Sequence, residues 1–418
     1  MRKTIAAVLA LLLVMLTALA GAEEEIVENV VLDAQAPASV TAEEVFTPSY
    51  GSEYGPEYGE NPSTYWTTPM DITDEAAVWE MLMKPITVVD IGKKSGAKVQ
   101  TFLYREPDKN STKVGVVTCE SQGVRVLETL ENGWSRVECY SSSFHGTEVP
   151  AWNILVNGYL PTEYLKQVEP DQDMGIVIDK LTQRLYLFAE GKLLSTLLCS
   201  TGLAQWNGSK YQPYNETRSG EFLTMGKLDN IDSDNLKCPY AVRFNNGDMM
   251  HEVPHTLNAD ESWNYKYNEP KLGTKCSHGC IRVQYKRTPE GINMKWIFSH
   301  LTQKSRVKLI IWEDWQGRQI PVPSEDTVLY YNPNGGSSYH RSETCYGYKG
   351  NEKTMVPFLY SELDEGDFAK LKRCTYCCPV MRKADIEEIN ARYAPGGDHD
   401  ELLTKLRQDY YDMMAQAE

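Results

Sequence analysis

Leu272-Gly273-Thr274-Lys275-Cys276-Ser277-His278-Gly279-Cys280-Ile281-Arg282-Val283, with Met249-Met250-His251-Glu252-Val253-Pro254-His255 upstream of it, is the stretch from which the rest of this chain is read. It brings together a thiol, candidate bases and a cation. A thiol attacks only as thiolate, and a free one is mostly protonated near neutrality, so a nucleophilic Cys280 needs a base or a positive field beside it. His251 and His278 are the candidate bases. Gly279 leaves the backbone open next to the sulfur, so the main-chain N–H groups of Gly279 and Cys280 can converge on a developing oxyanion. Arg282 has the fork geometry to grip a substrate carboxylate. The blander reading makes Cys276 and Cys280 a structural pair, or metal ligands together with His278, although no second cysteine pair follows closely.

Ser277-His278-Gly279-Cys280-Ile281-Arg282 after Leu272-Gly273, with a histidine about thirty residues earlier, resembles the L,D-transpeptidase catalytic domain of bacterial cell walls. The resemblance runs over about 174–312. It implies a β-rich domain in which a cysteine attacks a carbonyl of a tetrapeptide stem, expels the terminal D-residue and passes the acyl group to an amine of another stem. By that resemblance Cys280 is the nucleophile, His251 the base, and Gly279 with Cys280 the oxyanion donors. Ser277, His278 and Arg282 shape the site and bind substrate. Relatives usually carry Ser or Gly after the upstream histidine, where a backbone carbonyl orients the imidazole. Here that residue is Glu252, which keeps the carbonyl and adds a carboxylate able to raise the imidazole pKa. His255 is the competing base.

Length and charge bound the remainder. With 418 residues, 41% hydrophobic and 24% charged, the chain is long enough for two to four domains. A formal net charge of −16 argues against a nucleic-acid partner, whose phosphates call for Lys and Arg. Arg2-Lys3, an apolar run from Ile5 to Ala20 and the small residues Ala20-Gly21-Ala22 read as a signal peptide over 1–22, so the expectation is a secreted, wall-associated protein with no membrane span after cleavage. Residues 23–69 are acidic and rich in Tyr-Gly, and read as a linker.

Over 85–170 five short β-rich runs alternate with turn signals, predicting a small barrel. Their order, with Asn132-Gly133-Trp134 in the middle and Gly158-Tyr159-Leu160-Pro161 at the end, resembles the bacterial SH3-like module, which often holds wall peptide or glycan. Cys199-Ser200-Thr201-Gly202 and Thr217-Arg218-Ser219-Gly220 resemble scaffold elements of the catalytic family, with Arg218 where proline is usual. Residues 205–216 are long enough for a substrate lid and equally fit a simple surface insertion. A helix is expected over Pro289 to Leu301. His300 and His399 read as solvated.

A second cluster lies over 326–382: His340, Cys345, and Cys374-Thr375-Tyr376-Cys377-Cys378. A Cys-x-x-Cys with an upstream His and Cys fits a tetrahedral zinc site formed by His340, Cys345, Cys374 and Cys377, with Cys378 as a substitute, or one or two disulfides. Residues 383–418 read as a polar helical tail on which Leu402, Leu403, Leu406 and Tyr410 can form one apolar face. The sequence thus predicts a mainly β protein: a small SH3-like barrel, a β-rich catalytic domain and a Cys/His-rich module. Its expected substrate is the peptidoglycan stem peptide, its catalysis needs no cofactor, and the rival readings are an L,D-carboxypeptidase with the same nucleophile and a non-catalytic wall-binding protein.

Overall fold

The structure, a computed structural model, describes residues 71–92, 98–204, 212–233, 235–314, 318–350, 352 and 354–416. The leader and the acidic linker expected at 1–69, and most of the long 205–216 segment, lie outside these residues. The described chain is mainly β. Its elements are α1 (Glu75–Met83), β1 (Ile86–Val89), β2 (Gln100–Tyr104), β3 (Lys113–Thr118), β4 (Arg125–Thr129), β5 (Trp134–Ser142), β6 (Trp152–Pro161), β7 (Leu165–Val168), β8 (Met174–Asp179), β9 (Arg184–Ala189) and β10 (Lys192–Ser200). They continue with β11 (Gly220–Leu223), β12 (Lys227–Ser233), β13 (Leu236–Arg243), β14 (Met249–Glu252), β15 (Thr256–Leu257), β16 (Trp263–Asn264), β17 (Ile281–Val283), α2 (Met294–His300) and β18 (Lys308–Trp312). Last come β19 (Val328–Tyr331), β20 (Ser338–His340), β21 (Val356–Leu359), β22 (Lys372–Arg373), α3 (Lys383–Tyr393) and α4 (Asp398–Gln416).

Among the described residues three larger sheets stand beside the two-stranded pairs β1-β7 and β15-β16. The first is five-stranded, in the order β3-β2-β6-β5-β4 with every pairing antiparallel, and it takes in each run predicted over 85–170. Its core holds Leu103, Val116, Val137 and Val156, and Cys119 and Cys139 lie in that core as free thiols without bridging. The second is nine-stranded, in the order β11-β18-β8-β9-β10-β17-β14-β13-β12. Its central strands are apolar on both sides because both are covered. Ile176, Ile178, Leu309 and Ile311 face one core with Met294 and Ile297 of α2, whereas Val177, Ile310 and Trp312 face the other with Val78 and Leu82 of α1. Gly175 permits that packing, since a Cβ there would lie 2.8 Å from Leu82. Asp74 caps α1 by accepting from the Ala77 N–H at 3.0 Å. The helix expected over Pro289 to Leu301 starts later, at Met294, where the Asn293 side chain accepts from the Trp296 N–H. The third sheet, β21-β19-β20-β22, belongs to the Cys/His segment.

The C-terminal residues are more than a polar tail. Helix α4 sets Leu403, Leu406, Tyr410 and Met414 on one buried face. Tyr410 and Met414 enter the core of the five-stranded sheet, and the Tyr410 hydroxyl donates to the Val114 carbonyl at 2.6 Å. His399, expected in solvent, is buried against Tyr393 with its Nε2 3.0 Å from Asp314 Oδ2. No helix among the described residues is long and apolar enough to cross a membrane. Because Tyr410 fills the core of a sheet nearly three hundred residues away, Tyr410→Ala should cost about 3 kcal/mol or more, as lost packing and a lost hydrogen bond. The exposed Thr404→Ala should stay within about 0.5 kcal/mol. Urea midpoints of the two variants check this; equal midpoints would mean that α4 adds nothing to the core.

Candidate active site

The site follows from one strand register. β14 and β17 pair in parallel, with Met250 opposite Ile281, His251 opposite Arg282 and Glu252 opposite Val283. Side chains alternate across a sheet, and Met250, Ile281 and Val283 are in the core. His251, Arg282 and the adjoining Cys280 are therefore set on the other face. On its far side β17 pairs with β10, which puts Ser200 opposite Arg282. The histidine, about thirty residues upstream in the chain, thus shares one patch of sheet with the thiol and the guanidinium.

His251 is buried, and its Nδ1–H donates to the Glu252 carbonyl at 2.7 Å. That bond fixes the tautomer and leaves Nε2 with its lone pair free, as a base requires. Burial pushes the imidazole down to about 4, and the Arg282 cation acts in the same direction. The added carboxylate does not raise it as the sequence led us to expect. Glu252 alternates to the opposite face, where its Oε1 accepts from the Tyr265 hydroxyl at 2.6 Å, and burial pushes that carboxyl up to about 7. His255, the competing base, is tied by paired backbone hydrogen bonds to Lys237 and stacks on Trp263 at 4.2 Å. Lys237 belongs to β13, on the side of β14 away from β17.

Burial pushes the Cys280 thiol up to about 12, with the Asp248 carboxylate adding to it and the Met249 N–H opposing it. Near neutrality the resting pair is thus thiol and neutral imidazole. The loop around the sulfur is tightly specified. Gly279 has φ 122°, and a Cβ there would stand 2.4 Å from Asp248 Oδ1. The Gly279 carbonyl accepts from the Thr217 hydroxyl at 2.7 Å. Ser277 Oγ donates to the Cys280 carbonyl at 2.5 Å and accepts from the Gly279 N–H at 3.2 Å. The Gly279 amide expected to serve an oxyanion is therefore engaged within the loop, which leaves the Cys280 N–H as the candidate donor. His278 is exposed and Arg282 half-buried, with Arg282 Nη1 3.6 Å from Cys276 Sγ. Cys276 and Cys280 are both free thiols, and among the described residues no group of metal-type ligands includes Cys276, His278 or Cys280.

Two supports were not visible in the sequence. Arg218, read there as scaffold, is fully buried beneath the loop. Its Nη1 donates to the Glu216 carbonyl at 3.0 Å and lies 3.4 Å from Asp248 Oδ2, its Nη2 donates to the Ser143 carbonyl, and it packs over the Phe144 ring. Lys275, in the approach to Cys280, reaches Glu216 at 2.6 Å and Asp314 at 2.9 Å, the latter also bonded to Tyr393 and His399 from α3 and α4. Because the thiol rests protonated, alkylation of Cys280 by iodoacetamide, read peptide by peptide in a mass spectrometer, should rise about tenfold per pH unit from about pH 7 to about pH 10. A rate that is flat through neutrality would instead reveal a preformed thiolate–imidazolium pair.

The family model for the L,D-transpeptidase catalytic domain, YkuD, matches residues 173–309. No curated protein matches the chain. Solved structures similar to it include a fused zinc-dependent amidase/peptidase/peptidoglycan-binding-domain protein from Clostridium acetobutylicum, at 20% identity and TM-score 0.23, covering 34% of this chain and 52% of that one. Another is an L,D-transpeptidase from Mycobacterium smegmatis, at 13% identity and TM-score 0.26, covering 56% and 92%. A third is L,D-transpeptidase 3 from Mycobacterium tuberculosis in complex with a faropenem-derived adduct, at 14% identity and TM-score 0.26, covering 55% and 91%. The chain spans only about half the length of the Clostridium protein. By the family match, residues 173–309 form a YkuD L,D-transpeptidase catalytic domain, and His251 and Cys280 both lie inside it.

Proposed function

We propose that this protein is a peptidoglycan L,D-transpeptidase that works through a Cys280 thioester. The observation that carries the reading is the β14–β17 register, which puts His251, with Nδ1 locked and Nε2 free, on the same face as Cys280 inside the family-matched segment. The Cys280 sulfur attacks the stem-peptide carbonyl as its proton passes to His251 Nε2. The tetrahedral adduct collapses by breaking the C–N bond to the terminal D-residue, and His251 returns the proton to that leaving amine. An amine of a second stem then attacks the thioester, giving its proton to His251, and the C–S bond breaks to restore the thiol. The Cys280 N–H serves the oxyanion, and Arg282 takes a stem carboxylate.

Burial keeps the resting imidazole neutral, so Nε2 is open to the thiol proton, although the same burial weakens it as a base. Catalysis is assigned to the chain's own side chains and the Cys280 N–H, without a cofactor. Export to the wall is inferred from the leader-like sequence at 1–22 and wall binding from the SH3-like order of motifs over 85–170, with Ser277 and His278 completing the rim of the substrate site.

The decisive experiment is intact-protein mass after mixing the chain with faropenem or a carbapenem, because such β-lactams acylate an activated nucleophile of this class. A covalent adduct is expected on the parent and none on Cys280→Ala. Stem tetrapeptide with and without an amine acceptor then separates cross-linking from hydrolysis. Release of the D-residue without cross-link would make the protein a carboxypeptidase, and a folded parent that forms no adduct would overturn the enzyme in favour of a wall-binding protein.

A further inference from the structure

We propose that His340, Cys345, Cys374 and Cys377 bind one zinc ion, and that this ion fastens the C-terminal β-module to the strand that follows Cys280. Four ligand atoms, all from buried residues, lie within 4.8 Å of one another. Cys345 Sγ and Cys374 Sγ are 3.7 Å apart, as are Cys377 Sγ and His340 Nδ1. With a zinc–sulfur bond of about 2.3 Å, the edge of a tetrahedral site is about 3.8 Å. A disulfide would hold two sulfurs at about 2.0 Å. The spacing is therefore that of ligands around an ion, and a disulfide would also strand the third thiol and the imidazole.

The backbone is arranged for thiolates. The Gly347 N–H donates to Cys345 Sγ at 3.3 Å, the Tyr376 N–H to Cys374 Sγ at 3.4 Å and the Arg341 N–H to Cys377 Sγ at 3.4 Å. A neutral thiol is a weak acceptor, whereas a thiolate takes such bonds strongly. Three thiolates packed this closely repel one another unless a cation lies between them. Gly347 leaves room for the arrangement, since a Cβ there would stand 2.8 Å from Cys374 Sγ. Cys378, the substitute ligand considered from the sequence, is turned away. It has φ 47°, packs with Leu198, Val253 and Leu272, and places its Sγ 3.2 Å from Gln284 Oε1. The module has a small core of Leu329, Tyr339, Phe358, Tyr360 and Leu363, of the size at which a staple is usual.

The same knuckle rests on the catalytic domain. Gln284, one residue beyond β17, donates to the Tyr376 carbonyl at 3.1 Å and accepts from the Leu198 N–H of β10 at 2.6 Å. Lys286 bonds Thr375 at 3.0 Å, and Arg341 pairs with Glu290 at 2.9 Å. An ion that fixes residues 374–377 therefore fixes what β17 leans on.

The test uses the full chain purified without chelator, and none of its readouts needs turnover, so it stands apart from the fate of the transpeptidase reading. Elemental analysis should find one zinc per chain, lost in Cys345→Ser and in Cys374→Ser and kept in Cys276→Ser and Cys378→Ser. Exchange into cobalt(II) should give the thiolate charge-transfer band and intense visible bands of a tetrahedral sulfur-rich site; this uses the parent chain, so it decides the matter even if a ligand variant does not fold. Chelation should speed amide hydrogen exchange over 281–290 several-fold. A disulfide among Cys345, Cys374 and Cys377, parental zinc content in Cys345→Ser, or an octahedral cobalt spectrum would overturn the site. Unchanged exchange over 281–290 after metal removal would overturn the fastening.

Discussion

The candidate active site hangs on the parallel pairing of β14 with β17. Parallel neighbours cannot be joined by a tight turn, so residues 253–280 must leave the sheet and return, and the nucleophile arrives at the end of that excursion. β17 is only three residues long and holds its place because it is bonded on both sides, to β14 and to β10. A one-residue slip would send Arg282 into the core and Ile281 to the surface. The apolar demand of Met250, Ile281 and Val283 thus sets the register that brings His251 beside Arg282. Packing on one face of the sheet fixes chemistry on the other.

The loop leading into β17 is held by charge rather than by apolar area. Lys275 and Lys180 share Glu216, and both reach Asp314, which also receives Tyr393 and His399. Burial alone would push Glu216 and Asp314 up; the two lysines, with His399, hold them down instead. Buried pairs of this kind recover their desolvation cost only in good geometry, and deleting one member leaves a stranded charge. Their number is therefore weak evidence for net stability. Arg218 and Asp248 repeat the device on the other side of Gly279, whose φ and missing Cβ leave that loop no alternative path.

What could be read from the sequence, and what could not, divides along this line. The Ser277 to Arg282 run and His251 were legible because a thiol, a base and a cation have few other reasons to occur together. The β-rich character was legible from alternation and turns, as in the five runs over 85–170 that form β2 to β6. The four zinc-type ligands were legible as a set from their spacing, whereas the contacts that tie residues 374–377 to Gln284 and Lys286 were not. The apolar spacing of Leu403, Leu406 and Tyr410 announced a helix face without naming the surface it covers. Arg218 and His399 were missed for the same reason: their partners, Asp248 and Asp314, are distant in the chain, and hydropathy gives no sign of a buried charge that is matched in space. The carboxylate of Glu252 was misjudged because alternation, which sends it away from the imidazole, was not applied to a four-residue strand.

Alternation along β14 lets the site tolerate an acid next to its base. An ionised carboxylate beside His251 would favour imidazolium and leave the base already protonated. The strand instead uses the Glu252 carbonyl for orientation and delivers the carboxyl to Tyr265, which is itself stacked on Tyr285 at 3.8 Å. Backbone and side chain of one residue thereby serve opposite faces of the sheet. The imidazole gains a fixed tautomer without a raised pKa, and Tyr265, which follows the β15–β16 hairpin, is anchored to the strand that carries the base. A substitution at this position acts on whichever face it disturbs: a smaller residue keeps the carbonyl and frees the hairpin, whereas a change that bends the strand loses the base itself.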